Sequence, residues 1–137
     1  MNYKIADIEG VGASMTQKLK KANIKTVQGL LKAGATKKGR KEIAEASGID
    51  EAVILKWVNM ADLYRVKGIG KQYAELLEKA GVDTVKELRT RKAENLVAKI
   101  AETNADGKKR TVRLLPGLKR VEAWIEEAKK LEPMVTY

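Results

Sequence analysis

"VKGIGKQYAELLEKAGVDTV", Val66–Val85, sets two glycines two residues apart, follows them with a periodic apolar stretch, and closes on Gly-Val-Asp-Thr-Val. A related stretch, "IEGVGASMTQKLKKANIKTV", occupies Ile8–Val27, earlier by 66 − 8 = 58 positions. Laid over one another without gaps, residues 8–31 and 66–89 are identical at Gly10/Gly68, Gly12/Gly70, Leu19/Leu77, Lys21/Lys79, Ala22/Ala80, Thr26/Thr84, Val27/Val85 and Leu30/Leu88. Ile8/Val66, Val11/Ile69 and Ile24/Val82 are conservative pairs. Farther on, "KWVNMADL" and "AWIEEAKKL" pair through Trp57/Trp124 and Ala61/Ala128, once additional residues near 104–116 of the second copy are allowed for. The chain therefore reads as one unit used twice, over 1–63 and 64–137.

Apolar spacing makes both units helical. Met15, Leu19 and Ala22 form a narrow stripe after the first glycine pair; Tyr73, Ala74, Leu76, Leu77 and Ala80 form a wider one after the second. Val27, Leu30 and Leu31 make a short second helix with Thr26 as N-cap, and Asp83 or Thr84 caps its counterpart. Thr36 caps a third helix carrying Ile43 and Ala44 and ended by Gly48. Asp50 opens a fourth with Val53, Ile54, Trp57, Val58 and Ala61 on its buried side. In the second unit Leu96, Val97, Ile100 and Ala101 supply the third helix. Leu118, Val121, Trp124, Ile125, Ala128 and Leu131 supply the last, with Pro116 at an early helical position. No stretch reads as a strand, and no Gly/Ser-rich linker divides the copies. The expected fold is all-α, two units of about four short helices each, packed as one compact body.

An apolar-x-Gly-apolar-Gly turn between helices buries its apolar positions, here Val66 and Ile69. It frees its glycines to take unusual backbone angles and leaves their amides bare. The helix that follows at once adds its unpaired N–H groups and the positive end of its dipole. Such a patch of backbone donors suits one phosphate.

"IEGVG" and "VKGIG", each running into a helix, resemble the hairpins of helix-hairpin-helix DNA-binding modules. The whole chain, through "WIEEAKKLEPMVTY", resembles a bacterial family of tandem helix-hairpin-helix proteins classed as a domain of unknown function. Similar hairpins occur in DNA repair proteins, ligases, polymerases and the C-terminal domain of the RNA polymerase α subunit. The resemblance implies that hairpin amides contact DNA phosphates across the minor groove without reading bases. Carried onto this chain, the donors are the amides of Gly10, Gly12, Ser14, Gly68, Gly70 and Gln72, with Val11, Ile69, Lys18, Lys67 and Lys71 beside them. Related hairpins also hold a monovalent cation on main-chain carbonyls, which here would be those of Tyr64, Val66 and Ile69. The first hairpin departs from the pattern: only "MNYKIAD" precedes it, and Glu9 stands where the second has Lys67.

Charge points the same way. Lys and Arg number 28 against 18 Asp and Glu, a net +10. From Gly10 to Lys41 there is no acid among Lys18, Lys20, Lys21, Lys25, Lys32, Lys37, Lys38, Arg40 and Lys41. From Gly107 to Arg120 there is none among Lys108, Lys109, Arg110, Arg113, Lys119 and Arg120. Sign segregation of this kind suits a phosphate-tracking face, although a charge run is also what any solvated helix face carries.

The chain lacks Cys and His, which removes disulfides, zinc-finger ligation and Cys or His catalysis. Helix-hairpin-helix glycosylases carry a catalytic lysine just after the second glycine; Ser14 and Gln72 stand at the matching positions here. Adjacent Glu126 and Glu127 diverge on a helix, and no Gly-Lys-Ser/Thr follows the glycines. The expectation is a non-enzyme without cofactor. The N-terminal residues lack a signal peptide's pattern and no apolar run could span a bilayer, so a cytoplasmic protein with no membrane partner is expected. Double-stranded DNA is the expected partner. A non-catalytic adaptor that docks a protein or self-associates is the alternative, and RNA is the weaker variant for want of interleaved aromatics. Trp57 and Trp124 read as core.

Overall fold

Every regular element is helical in a computed structural model of the chain, which describes residues 4–8, 11–106 and 115–137. A 3₁₀ turn, Ile5–Asp7, comes first. The α-helices are α1 Ala13–Lys21, α2 Val27–Gly34, α3 Lys37–Ser47, α4 Glu51–Leu63, α5 Lys71–Lys79, α6 Val85–Leu88, α7 Ala93–Asp106 and α8 Leu118–Lys130. Extended pairing among the described residues amounts to one isolated bridge, Lys4 to Thr26.

Local chemistry sets most boundaries. Thr26, Thr36 and Thr84 sit in extended backbone at the N-caps of α2, α3 and α6. Their hydroxyls accept from Gly29 N–H at 2.9 Å, Gly39 N–H at 3.0 Å and Glu87 N–H at 3.2 Å. Of the two candidates for α6, the N-cap is Thr84 and not Asp83. Asp50 opens α4 by accepting from Ala52 N–H at 3.1 Å, and Gly48 ends α3. Truncating Thr26 or Thr84 to Ala should each cost about 1 kcal/mol in urea unfolding, because one amide of the first turn is left without its acceptor. A loss below about 0.2 kcal/mol at both positions would contradict the capping role.

The repeated Gly/Asn-Ile/Val signature has a geometric cause. Asn23 and Gly81 both take positive φ, 65° and 95°, just past the ends of α1 and α5. Ile24 N–H then reaches back to Leu19 O at 3.0 Å, and Val82 N–H to Leu77 O at 2.8 Å. Asn23 N–H and Gly81 N–H close the inner bonds to Lys20 O and Glu78 O. Both copies therefore end their first helix in a Schellman motif. The apolar residue that follows is turned inward: Ile24 and Val82 are buried.

The chain forms two compact units, Met1–Asp62 with Met134–Tyr137, and Leu63–Pro133. In the first, α3 packs on α1 and α2, and the 3₁₀ turn touches the same two helices. In the second, α7 packs on α5 and α8, and α6 on α8. The repeat is visible in burial, since Leu19/Leu77, Val27/Val85, Leu30/Leu88 and Trp57/Trp124 are all core residues. Each such side chain contributes roughly 1.5–3 kcal/mol by leaving water.

Several expected details are corrected. Val53 and Leu118 are exposed at 36% and 40%, because both stand in a first helical turn at the edge of the apolar stripe. Val97, Ala101 and Leu131 are only half-buried. Pro116 lies before the N-cap Gly117 and outside α8. Part of the second unit's additional length is the longer third helix, with 14 residues in α7 against 11 in α3. The tail Met134–Tyr137, expected in the second unit, belongs to the first.

Candidate functional site

Each glycine turn is built by the same two backbone bonds. In the first unit Ile8 N–H donates to Ile5 O at 3.2 Å and Val11 N–H to Ile8 O at 3.1 Å. In the second, Val66 N–H donates to Leu63 O and Ile69 N–H to Val66 O, both at 3.1 Å. The bonds wind the chain so that Ile8, Val11, Val66 and Ile69 point into the core, each at most 6% exposed. Val11 and Ile69 thus belong to the candidate site through their backbone alone.

The turns deliver the chain into α1 and α5 with bare helix ends. Gly12 and Gly70 are the N-caps, and neither helix has a side-chain cap. Their carbonyls accept from Thr16 N–H and Ala74 N–H at 2.9 Å. The amides of Ala13, Ser14 and Met15, and of Lys71, Gln72 and Tyr73, therefore precede the first intrahelical donor. Ser14, Lys71 and Gln72 are exposed. The partial positive charge of the α5 end adds to that of Lys67 and Lys71 beside it, whereas the lysines of α1 stand in its last turn.

The glycines do different jobs from those their pairing suggests. Gly68 has φ +92°, an angle that strains any side chain, and a Cβ there would make a tight contact of 3.2 Å with Trp124 Nε1. Gly70 has φ −103° and Gly12 φ −86°, which any residue adopts. Nothing lies within 4 Å of a Cβ at either position. Gly12 and Gly70 are open because they lack a side chain, and their backbone needs no special angle.

Around the second turn, Lys67 and Lys71 are exposed, while Arg65 Nη2 donates to Glu132 O at 2.6 Å. Lys67 N–H donates to Glu127 Oε2 at 3.0 Å. No local pattern in the sequence announces that carboxylate. In the Trp57/Trp124 pairing its place in α4 is taken by Met60, so the two turns differ in charge as well as in sequence. Glu126 turns away to Lys129, at 3.1 Å. Trp124 stacks obliquely on Tyr73, with centroids 5.1 Å apart, and Arg120 Nη1 donates to the Tyr73 hydroxyl at 2.9 Å. Both tryptophans are core, at 4% and 2% exposure. Of the carbonyls considered for a cation, that of Val66 already accepts the Ile69 amide.

The first unit places Val11, Gly12 and Ser14 at the start of α1, whereas the half-buried Lys18 stands in the last turn of that helix, away from the turn. The second places Lys67, Gly68, Ile69, Gly70, Lys71 and Gln72 at the start of α5. Gly10, Lys108, Lys109 and Arg110 lie outside the described residues, as do Glu9 and Arg113.

One member of the basic run is not on the surface at all. Arg40 is 4% exposed; Nη1 donates to Gly34 O at 2.9 Å and Ala35 O at 3.2 Å, and Nη2 to Thr136 O at 2.6 Å. The guanidinium also stands 6.0 Å from the Tyr137 ring centroid, and the Tyr137 hydroxyl donates to Asn59 Oδ1 at 3.2 Å. Tyr137 is thus part of how the tail is held. A signal for Arg40 existed: Arg40, Ile43 and Ser47 share the spacing of one helical face, and all three are buried.

Among the described residues no cluster of acidic side chains could hold a metal ion, and no helix is long and apolar enough to cross a membrane. Residues 9–131 match the model of a family described as a domain of unknown function, DUF4332. No curated protein and no solved structure matches the chain.

Proposed function

The chain belongs to the DUF4332 family, and we propose that it binds duplex DNA without regard to sequence, as two helix-hairpin-helix units. The observation that carries this reading is the duplicated turn: the same bonding pattern twice, each time leading into a helix of nine residues with no side-chain cap. Amides at such an end offer hydrogen bonds to phosphate oxygens, which occur at every nucleotide whatever the base. Exposed lysines add charge: Lys20, Lys21, Lys25, Lys32, Lys37, Lys38 and Lys41 in the first unit, Lys67 and Lys71 at the second turn. The carboxylate of Glu127 on the Lys67 amide fits a turn that favours anionic oxygen.

Fluorescence anisotropy of labelled duplexes of unrelated sequence tests the proposal. Similar affinity for every duplex, falling steeply with salt, is expected. Lys18→Gln or Lys71→Gln should reduce the slope of log K against log salt by about 0.9 for each phosphate no longer neutralised. Absence of binding at low salt would remove the DNA reading and leave the protein-docking adaptor as the function to pursue.

A further inference from the structure

We infer that Arg120 of α8, held in place by Tyr73, extends the phosphate seat of the second turn, a role that rests on the duplex-binding reading above. One face of α8 lies along that turn. Arg120, Trp124 and Glu127 follow one another at the i, i+4, i+7 spacing of a single helical face. Arg120 Nη1 donates to the Tyr73 hydroxyl, Trp124 stands against Gly68 and Tyr73, and Glu127 Oε2 accepts from the Lys67 amide. The face is therefore positive at the end beside Tyr73 and negative at the end beside Lys67.

The guanidinium is fixed to the same helix whose N-terminal amides the proposed phosphate meets. Tyr73 stands in the first turn of α5, half-buried against the core residue Trp124. Arg120 Cζ lies 5.8 Å from the Tyr73 ring centroid, so ring face and hydroxyl hold the group together. Both of these contacts are neutral and leave the charge of Arg120 uncompensated. Lys79, Arg91 and Lys129 of the same unit are each paired with a glutamate, whereas Arg120 is exposed and no carboxylate among the described residues pairs with it. With one donor on the hydroxyl, four N–H groups remain in the fork geometry that matches phosphate oxygens.

The two copies differ at both ends of this contact at once. The gapless overlay puts Met15 in the place of Tyr73, and the Trp57/Trp124 pairing puts Val53 in the place of Arg120. A cation that is merely solvated needs no matching change in a neighbour; a held one does. The addition is thus confined to the second unit. A phosphate at the start of α5 is drawn toward Arg120 and repelled by Glu127, which sets the side on which the strand continues and places its next phosphate at the guanidinium.

The test follows duplex binding by fluorescence anisotropy against salt, with the full chain and four variants whose fold is checked by circular dichroism. Arg120→Gln should lower the slope of log K against log salt by about 0.9, about eightfold in affinity at 0.1 M salt. Tyr73→Phe keeps every charge and the ring on Trp124, so the slope should stay while affinity falls up to about fivefold. Arg120→Lys should likewise keep the slope and recover only part of the affinity. Lys99→Gln, at an exposed position on α7, makes the same change in net charge as Arg120→Gln and should alter neither quantity. If the parent binds but Arg120→Gln keeps its slope, or Lys99→Gln loses as much, the inference is overturned and the duplex reading stands. Parental affinity in both Tyr73→Phe and Arg120→Lys would equally overturn it, since the hold would then serve nothing. No binding by the parent at low salt would remove the duplex reading and this role together.

Discussion

Replacing Gly12 and Gly70 together with aspartate should leave the protein folded and lower its affinity for duplex DNA by about 100-fold, a loss of about 3 kcal/mol. The backbone at both positions is extended and no atom crowds a Cβ there, so neither substitution strains the chain. Aspartate is a good N-cap, and its carboxylate will accept from the first-turn amides and favour the positive helix end. Circular dichroism and urea unfolding should therefore show stability unchanged or slightly raised. The same carboxylates occupy the donors that the proposed complex needs for two phosphates, and they add repulsion. A hydrogen bond to a charged group is worth about 1.5–3 kcal/mol, so removing one at each turn accounts for the expected effect. Retention of affinity by this folded variant would remove the turn amides from the binding mechanism, however strongly salt still acts. Bulky residues at Gly68 would not make so clean an experiment, since they would strain the backbone and strike Trp124.

Gly39→Ala should destabilise the protein by about 3 kcal/mol or more, an overpacking cost at the upper end of the usual range. Helix propensity alone predicts the opposite, a gain of about 1 kcal/mol. Packing decides the sign. Gly39 lies in the first turn of α3, and a Cβ there would stand 2.0 Å from the carbonyl oxygen of Ala33 in α2. That oxygen is backbone, so relief requires α2 and α3 to move apart. Nearby, a Cβ on Gly34 would come within 2.5 Å of Val58 Cγ2, so the closeness of α2 to its neighbours depends on both glycines. Thermal and urea unfolding of the full chain give the answer directly. A variant as stable as the parent would mean that the two helices have room that the geometry denies them.

The features legible in the sequence are those that local chemistry decides. Duplication was plain because glycines, caps and apolar positions recur at fixed spacing. Thr26 and Thr36 behave as cap residues because their partners lie three residues away. The core positions of α2 and α5 follow from periodicity. Other features depend on distant partners. Arg40 looks like one more surface cation until Thr136, 96 residues on, supplies an acceptor. Glu127 looks like a solvated helix residue until the Lys67 amide, 60 residues back, reaches it. The glycines show both sides. Those at the turns announced themselves by pairing, although only Gly68 of the described ones needs its backbone angle. Gly39 sits unpaired in a lysine-rich helix, and nothing in its neighbourhood hints that a carbonyl from α2 lies against it.

The Arg40 tie to Thr136 also bears on how the molecule is made. Because Met134–Tyr137 belongs with Met1–Asp62, the second unit is enclosed, in sequence, between the two parts of the first. A ribosome releases Arg40 long before Thr136. Until Met134–Tyr137 emerge, the carbonyls of Gly34 and Ala35 have the guanidinium but the guanidinium lacks its Thr136 acceptor. The first unit is therefore finished last, after the whole of the second has been synthesised. Closing so long a loop costs little more entropy than closing a short one, since the cost rises only with the logarithm of length. What the arrangement changes is timing: the nascent first unit waits with its tail seat open for the entire synthesis of its sister.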